Sequence, residues 1–269
     1  MNATLAHPIP TPAAAAVPTA KLLRVFMREA KYEFLKAVRS PAASIPFLVL
    51  PIPLYLFFGV VLAGSSPEIQ KNPLLADYIF AGWCTFAVMM PAIFAIGCGL
   101  AMERTAGLMR FKRALPTPSG VYLTAKFCMA MTFAAIAVSE LIVAALCAGK
   151  ITMTLTQLLP FAAVMIVGVL PFCSIGLLIG AYSSGPASPA IANLVFLPMV
   201  WLSGFFFPLP ASLRIFSMLL PSFHLHQTAL GAAGFQRFMV LPLTMTTAAL
   251  VAVTIVFGGL AMRRLARVG

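Results

Sequence analysis

Charge is scarce in this sequence, and acid most of all. Only 9% of the 269 residues are charged and six are acidic, while 61% are hydrophobic. A soluble domain carries about a quarter charged residues, so there is too little polar surface here to cover a water-soluble body of this size. Several motifs for chemistry are also missing. No GxxxxGK[ST] phosphate loop occurs, which excludes a P-loop ATPase site within this polypeptide. No GxSxG, no HExxH and no paired carboxylates inside an apolar stretch are found, so nothing points to hydrolysis. Five cysteines (Cys84, Cys98, Cys128, Cys147 and Cys173) lie in apolar stretches with no CxxC pair. They read as apolar filler rather than as a metal site or disulfide framework. No internal repeat is evident, which argues against a secondary transporter built from inverted repeats.

What the sequence does have is long apolar segments, and a mean hydropathy of +1.01 makes the chain a multispanning membrane protein. Six spans are predicted at about 43–64, 78–102, 123–148, 158–182, 187–207 and 240–262, each near the twenty residues that cross a hydrocarbon core. The fourth and fifth are separated only by the uncharged turn Ser183-Ser184-Gly185-Pro186. Prolines at 46, 51, 53, 91, 171 and 198 predict kinked bundle helices whose neighbours must compensate the lost backbone bonds.

The net charge of +12 could mark a nucleic-acid binder. Its position excludes that reading, because the Lys and Arg residues flank the apolar spans as membrane insertion requires. Six precede the first span, five lie in 103–126 and three follow the last span, so fourteen of the eighteen fall on one side. That side is expected to be the cytoplasm, with both termini there. The segment Glu103 to Lys126 is the densest internal cluster, carrying Arg104, Arg110, Lys112, Arg113 and Lys126 against the single acid Glu103.

Residues 1–20, with four prolines and no Lys or Arg, read as a disordered tail. Over 21–40 the pattern is helical: Leu23, Phe26, Met27, Ala30, Phe34 and Ala37 recur on one side, with six basic residues nearby, and Ser40-Pro41 ends the run. This predicts an amphipathic helix in the membrane interface, the alternative being a soluble helix packed on a partner. The basic stretch 263–269 reads as a tail on the cytoplasmic side. The outer segment 208–239 has apolar runs too short to span, broken by Pro221 and Gly231, and reads as a re-entrant hairpin or lid. Its His224 and His226 make a poor metal site without Cys or Asp nearby and read as interfacial polar residues.

Glu140 is expected to be the one acidic residue inside a span. It either contacts a cationic substrate or relays a proton, or is a hydrogen-bonded structural group. Asn193, Leu197, Val200 and Gly204 fall on one face of an ideal fifth helix. That face is either part of a path or ordinary helix packing.

Four features in order resemble the membrane subunits of ABC-2 type ATP-binding-cassette exporters. They are the amphipathic helix, the run Glu103-Arg104 with Gly107-Leu108 before Leu115-Pro116-Thr117-Pro118, the pair Gly176 and Gly180 before Asn193 to Pro198, and Leu202-Ser203-Gly204 with Pro208 closing the fifth span. The resemblance implies an all-α integral membrane protein with the ABC-2 (type V exporter-like) arrangement. It implies a dimer, homo- or heteromeric, with twelve spans, driven by two copies of a separate P-loop ATPase that binds ATP and Mg. No cofactor is then expected in this chain. In the family the loop between spans two and three docks on the ATPase, so Glu103, Arg104, Gly107, Arg110, Lys112 and Arg113 become coupling candidates, with Gly107 allowing close approach. Spans two and five line the exit path, so Asn193, Val200 and Gly204 become path candidates beside Glu140. The implied location is a bacterial inner membrane, and the implied substrate is an amphiphile such as a drug or lipid. The chain departs from the family in Leu220-Pro221-Ser222-Phe223-His224-Leu225-His226, where a more polar segment is usual. Two other classes stay open: a proton-coupled carrier using Glu140, and a membrane enzyme with 208–239 over its site.

Overall fold

A computed structural model describes residues 19–109, 119–207, 209–210 and 212–268. The described residues contain helices and no strand. Helix α1, Thr19–Val38, ends before Ser40, whose extended φ and ψ of −100° and 91° follow from the proline after it. Then come α2 (Ser44–Leu62), α3 (Leu74–Thr105), α4 (Ser119–Cys147), α5 (Leu155–Tyr182), α6 (Ser188–Trp201), α7 (Pro221–Ala232) and α8 (Leu243–Val268). Among the described residues five helices are long and apolar enough to cross a membrane: α2, α3, α4, α5 and α8. Since α8 continues to Val268, Arg263, Arg264 and Arg267 are its last turns and not a separate tail. Cations there complement the negative end of the helix dipole.

The bundle is organised around α3. In its most apolar stretch 83% of the residues are buried, against 22% for α2 and 17% for α8, which turn Phe57, Val61, Val251 and Ile255 outward. Those exposed faces suit lipid, where apolar side chains cost nothing. Close approach of α3 and α5 depends on small residues: a Cβ on Gly176 would stand 2.3 Å from the Ala92 carbonyl oxygen. Two of the prolines sit at irregularities of different kinds. Pro91 opens a wide π-type turn, Pro91–Ile96, and Pro171 opens the second half of α5 after a break at Gly168. Leu225 of α7 fills that break, its Cδ1 2.2 Å from where a Gly168 Cβ would be.

The fifth predicted span differs from its expected extent. Helix α6 has 14 residues, about 21 Å at 1.5 Å per residue, and is too short to cross alone. Past Trp201 the chain continues as a non-helical strip in which Ser203, Gly204 and Phe205 are buried. Irregular backbone at this depth is tolerated only when protein covers it. Here α3 covers it: Tyr78 donates its hydroxyl to the Gly204 carbonyl at 2.6 Å, and Trp83 packs on Phe206 at 4.6 Å between centroids. Gly204 has φ +72°, a left-handed turn that an L side chain would strain. Pro208 lies outside the described residues.

The connection to α8 is not a surface lid. Every residue of α7 from Pro221 to Gly231 is buried, packed on α8, α3 and the first half of α5. His226 is therefore an interior residue, not an interfacial one. Its Nε2–H donates to the Tyr78 carbonyl at 3.1 Å, and its ring stands edge-on to the Tyr78 ring at 4.5 Å. His224 likewise donates Nε2–H to the Met218 carbonyl at 2.8 Å. Burial lowers both imidazoles, that of His226 to about 4, with the hydrogen bonds opposing in part. In an unfolded chain His226 takes up a proton near pH 6.5, while in the folded chain it does not until about pH 4. Stability is thus fully present above pH 6.5 and is lost as pH falls from there toward 4. The melting temperature of the purified chain should be level above about pH 7 and should fall steadily below about pH 6. A level profile down to about pH 5 would contradict the neutral, buried His226.

Candidate functional site

The basic end of the bundle is held by three consecutive side chains where α3 stops. Glu103, Arg104 and Thr105 close the helix, and Gly107 follows with φ +76°. That conformation lets the Gly107 N–H bond back to the Arg104 carbonyl at 3.1 Å and ends the helix. No atom lies within 4 Å of a Cβ built on Gly107, so backbone conformation is what calls for glycine. The chain then enters 110–118. Arg110, Lys112 and Arg113 lie there, outside the described residues.

Glu103 does not point outward. It is 4% exposed and sits at the centre of a network joining α1, α3 and α4. Tyr122 donates its hydroxyl to Glu103, and Lys36 forms an ion pair with it. Lys126, 2% exposed, places Nζ 3.3 Å from Glu103 and 3.0 Å from Glu33. A charge this deep persists only when paired and hydrogen-bonded. Among the described residues two carboxylates meet two ammonium groups here. The network pulls Glu33 inside, while the Phe34 ring packs tilted against that of Phe133 at 5.4 Å. Leu23 and Met27 remain exposed on the other flank of α1. Between α1 and the end of α3 lies a cleft of about 420 Å³ lined by Glu29, Tyr32, Lys36, Arg39, Glu103 and Leu108 among others.

Arg104 and Thr105 reach the opposite way. The Arg104 guanidinium donates to the carbonyls of Gly180 at 3.0 Å, of Ser183 at 2.9 Å and of Ala181. These are the carbonyls left without partners at the end of α5, and a cation there also answers the helix dipole. Thr105 Oγ1 accepts from the Gly185 N–H at 2.9 Å, so the turn between α5 and α6 is tied to α3. Nearby, Arg264 of α8 lies over the Tyr182 ring at 5.0 Å. Arg104→Ala is expected to lower stability by about 2 kcal/mol, since charge-assisted bonds to buried carbonyls are lost. Arg104→Lys should recover only part, because an ammonium lacks the planar fork that serves three carbonyls. Thermal unfolding of the purified variants checks both.

The path candidates do not converge. Asn193 is exposed on α6 and turns its Nδ2 back to the Pro189 carbonyl at 3.1 Å, whereas Val200 is buried. Gly204 lies beyond the helix end, against α3, so the shared face expected for Asn193, Leu197, Val200 and Gly204 is not formed. An ideal-helix projection fails because the helix stops at Trp201. Glu140 sits half-buried on α4 with Oε2 buried and without a hydrogen-bond partner among the described residues.

Glu140 is also not the one acid in a span. Helix α3 begins at Leu74, so Asp77 lies in its first turn, 0% exposed, accepting from the Thr152 N–H at 2.9 Å and from the Thr152 hydroxyl. Asp77, Glu33, Lys36 and Tyr122 were not singled out by sequence pattern. The available signal was a carboxylate just after Asn72-Pro73 for Asp77, and for Glu33 an acid on the apolar side of an otherwise basic helix.

Comparison with known proteins adds an independent line. The family model described as "ABC-2 type transporter" matches residues 25–233, from α1 through α7 and including Glu103, Arg104 and Gly107. "Putative transport permease YvfS" of Bacillus subtilis (strain 168) is 22% identical over 205 residues, covering 75% of this chain and 82% of that protein.

Proposed function

The chain belongs to the ABC-2 type transporter family, and from that premise we propose that it is the membrane subunit of an ATP-driven exporter for amphiphilic substrates. A separate P-loop ATPase, present in two copies, binds ATP and Mg, and a second permease subunit, identical or related, completes the path. The basic end faces the cytoplasm in a bacterial inner membrane, with both termini on that side.

The observation that carries this reading is the clamp at Glu103, Arg104 and Thr105. It ties α1, α4, α5 and the α5–α6 turn to the end of α3, where the chain leaves for 110–118. A partner pressing on that segment moves four helix ends together. In such a mechanism Arg110, Lys112 and Arg113 meet the ATPase, Arg104 and Glu103 pass the displacement on, and Asn193, Val200 and Gly204 belong to the elements that open. Co-reconstitution with the ATPase in liposomes tests it. Transport should require ATP and the ATPase and should be stopped by vanadate. Transport by this chain alone would end the proposal, as would labelling that places 103–126 on the outer side.

One observation favours a second reading, a proton-coupled carrier: the buried Oε2 of Glu140, without a hydrogen-bond partner among the described residues. Under that reading an uncoupler alone stops transport and Glu140→Gln abolishes it. Under the exporter reading Glu140→Gln keeps ATP-dependent transport.

A further inference from the structure

At the end of the bundle opposite the clamp, a cavity of about 420 Å³ opens between the start of α3, the strip after α6 and the two segments that lead into and out of α7. Its charge is of one sign. Arg214, from the short turn Arg214–Ser217, and Arg237, from the turn Gln236–Phe238, both line it, and no carboxylate does. Among the described residues neither guanidinium has an ion-pair partner. Arg237 lies over the Phe238 ring at 5.6 Å, which limits where its fork can go. Ser203 adds the second observation. It lines the same cavity, is 2% exposed, and its Oγ has no hydrogen-bond partner among the described residues. A buried hydroxyl left unpaired is costly, and most such groups in folded proteins find a partner. Gln227 does not compete for a ligand, because its amide is spent on the Phe238 carbonyl at 3.2 Å and the Val240 N–H at 2.7 Å. It fixes the wall instead.

Two permanent cations and a free hydroxyl donor, with no acid to neutralise them, select an oxyanion. The guanidinium fork matches phosphate and carboxylate oxygens, and a metal ion or an amine is repelled. Leu209, Phe223 and Val240 make the remaining wall apolar, so the group bound can carry an apolar body. We propose that this cavity is a binding site for a phosphate- or carboxylate-type oxyanion, held by Arg214, Arg237 and the Ser203 hydroxyl. As a stop on an export path it rests on the permease reading; as a binding site it does not.

The test uses the full chain in phosphatidylcholine nanodiscs, without ATPase or nucleotide. Two probes are added separately: inorganic phosphate, and dioleoyl phosphatidic acid incorporated in the disc. Binding is read by native mass spectrometry and by thermal shift. The expected result is saturable binding of at least one probe, weakened about tenfold or more in Arg214→Gln/Arg237→Gln and measurably in Ser203→Ala. Both arginines are exposed, so the double variant should keep the wild-type melting temperature without probe. Binding of phosphatidic acid alone assigns the oxyanion to a lipid headgroup; binding of inorganic phosphate with the same arginine dependence assigns it to a soluble anion. The proposal is overturned if neither probe binds, if the double variant binds as tightly as the parent, or if Lys71→Gln/Lys150→Gln weakens binding equally, since diffuse charge at this end would then suffice. A negative result leaves ATP-dependent transport untouched, and failure of transport leaves a positive binding result standing.

Discussion

Lys126→Met is expected to unfold the basic end of the bundle more readily than any other single side-chain change there. The substitution keeps length and apolar bulk but removes the cation that lies 3.0 Å from Glu33 and 3.3 Å from Glu103. Lys36 remains, but its side chain is 58% exposed and pairs with Glu103. Breaking a buried pair by deleting one partner costs about 3–5 kcal/mol, a large part of the stability of a typical protein. The loss should appear as a lower melting temperature in detergent and as detachment of α1, read by increased proteolysis within residues 19–38. The double variant Glu33→Gln/Lys126→Met removes a carboxylate together with the cation beside it and should be less damaged than Lys126→Met alone. If Lys126→Met melts like the parent, the network is not a source of stability and the clamp loses half of its construction.

The second large effect is expected at Gly82→Ala, a change that composition would rate as mild. A Cβ at this position would stand 2.1 Å from the Phe205 carbonyl oxygen and 2.8 Å from its carbonyl carbon. Both are backbone atoms, so no rotamer change relieves the clash. The strip 202–207 must lift from α3, which breaks the Tyr78 hydroxyl bond to Gly204 and opens the Trp83–Phe206 contact. Overpacking typically costs about 1–3 kcal/mol, and the collision with backbone places Gly82→Ala at or above the top of that range. Gly99→Ala is the control. It lies on the same helix with nothing within 4 Å of the added methyl, and a helical Gly→Ala change gains about 1 kcal/mol. Paired melting curves should move in opposite directions. Equal shifts would mean that the strip does not rest on α3 as described.

The clamp was legible in part. Glu103, Arg104 and Gly107 stand out in sequence because charge is dense there and rare elsewhere. Their roles did not follow from that density. A basic loop reads as a solvated surface, yet Glu103 and Lys126 are buried against each other and against Glu33, residues separated by up to 93 positions. Such pairing leaves no periodicity in the sequence of either partner. The same holds for Arg104, whose three acceptors are backbone carbonyls, which carry no signature in sequence at all.

The segment after α6 shows a different limit. Leu202 to Phe207 is apolar enough to read as the last turns of a span, and hydropathy cannot tell a helical turn from a buried irregular strip. What separates them is whether protein, rather than lipid, satisfies the backbone. That depends on Tyr78 and Gly82 of α3. Likewise the segment holding α7 is too short to span and reads as a re-entrant hairpin or lid, and what its apolar runs do not reveal is that Gly168 on α5 leaves room for Leu225.

The amino-acid sequence by itself determined that this protein lives in a membrane, how many apolar segments it has and where helix α1 ends. Those follow from the composition of contiguous stretches and from proline chemistry, both local. Only the tertiary structure decided that the charges beside the spans lock helices together, that the chain after α6 is a non-helical strip packed on α3, and that two arginines share a cavity without an acid. These are set by which backbones and side chains meet across distant segments, and burial is a property of the assembled bundle rather than of any one stretch of it.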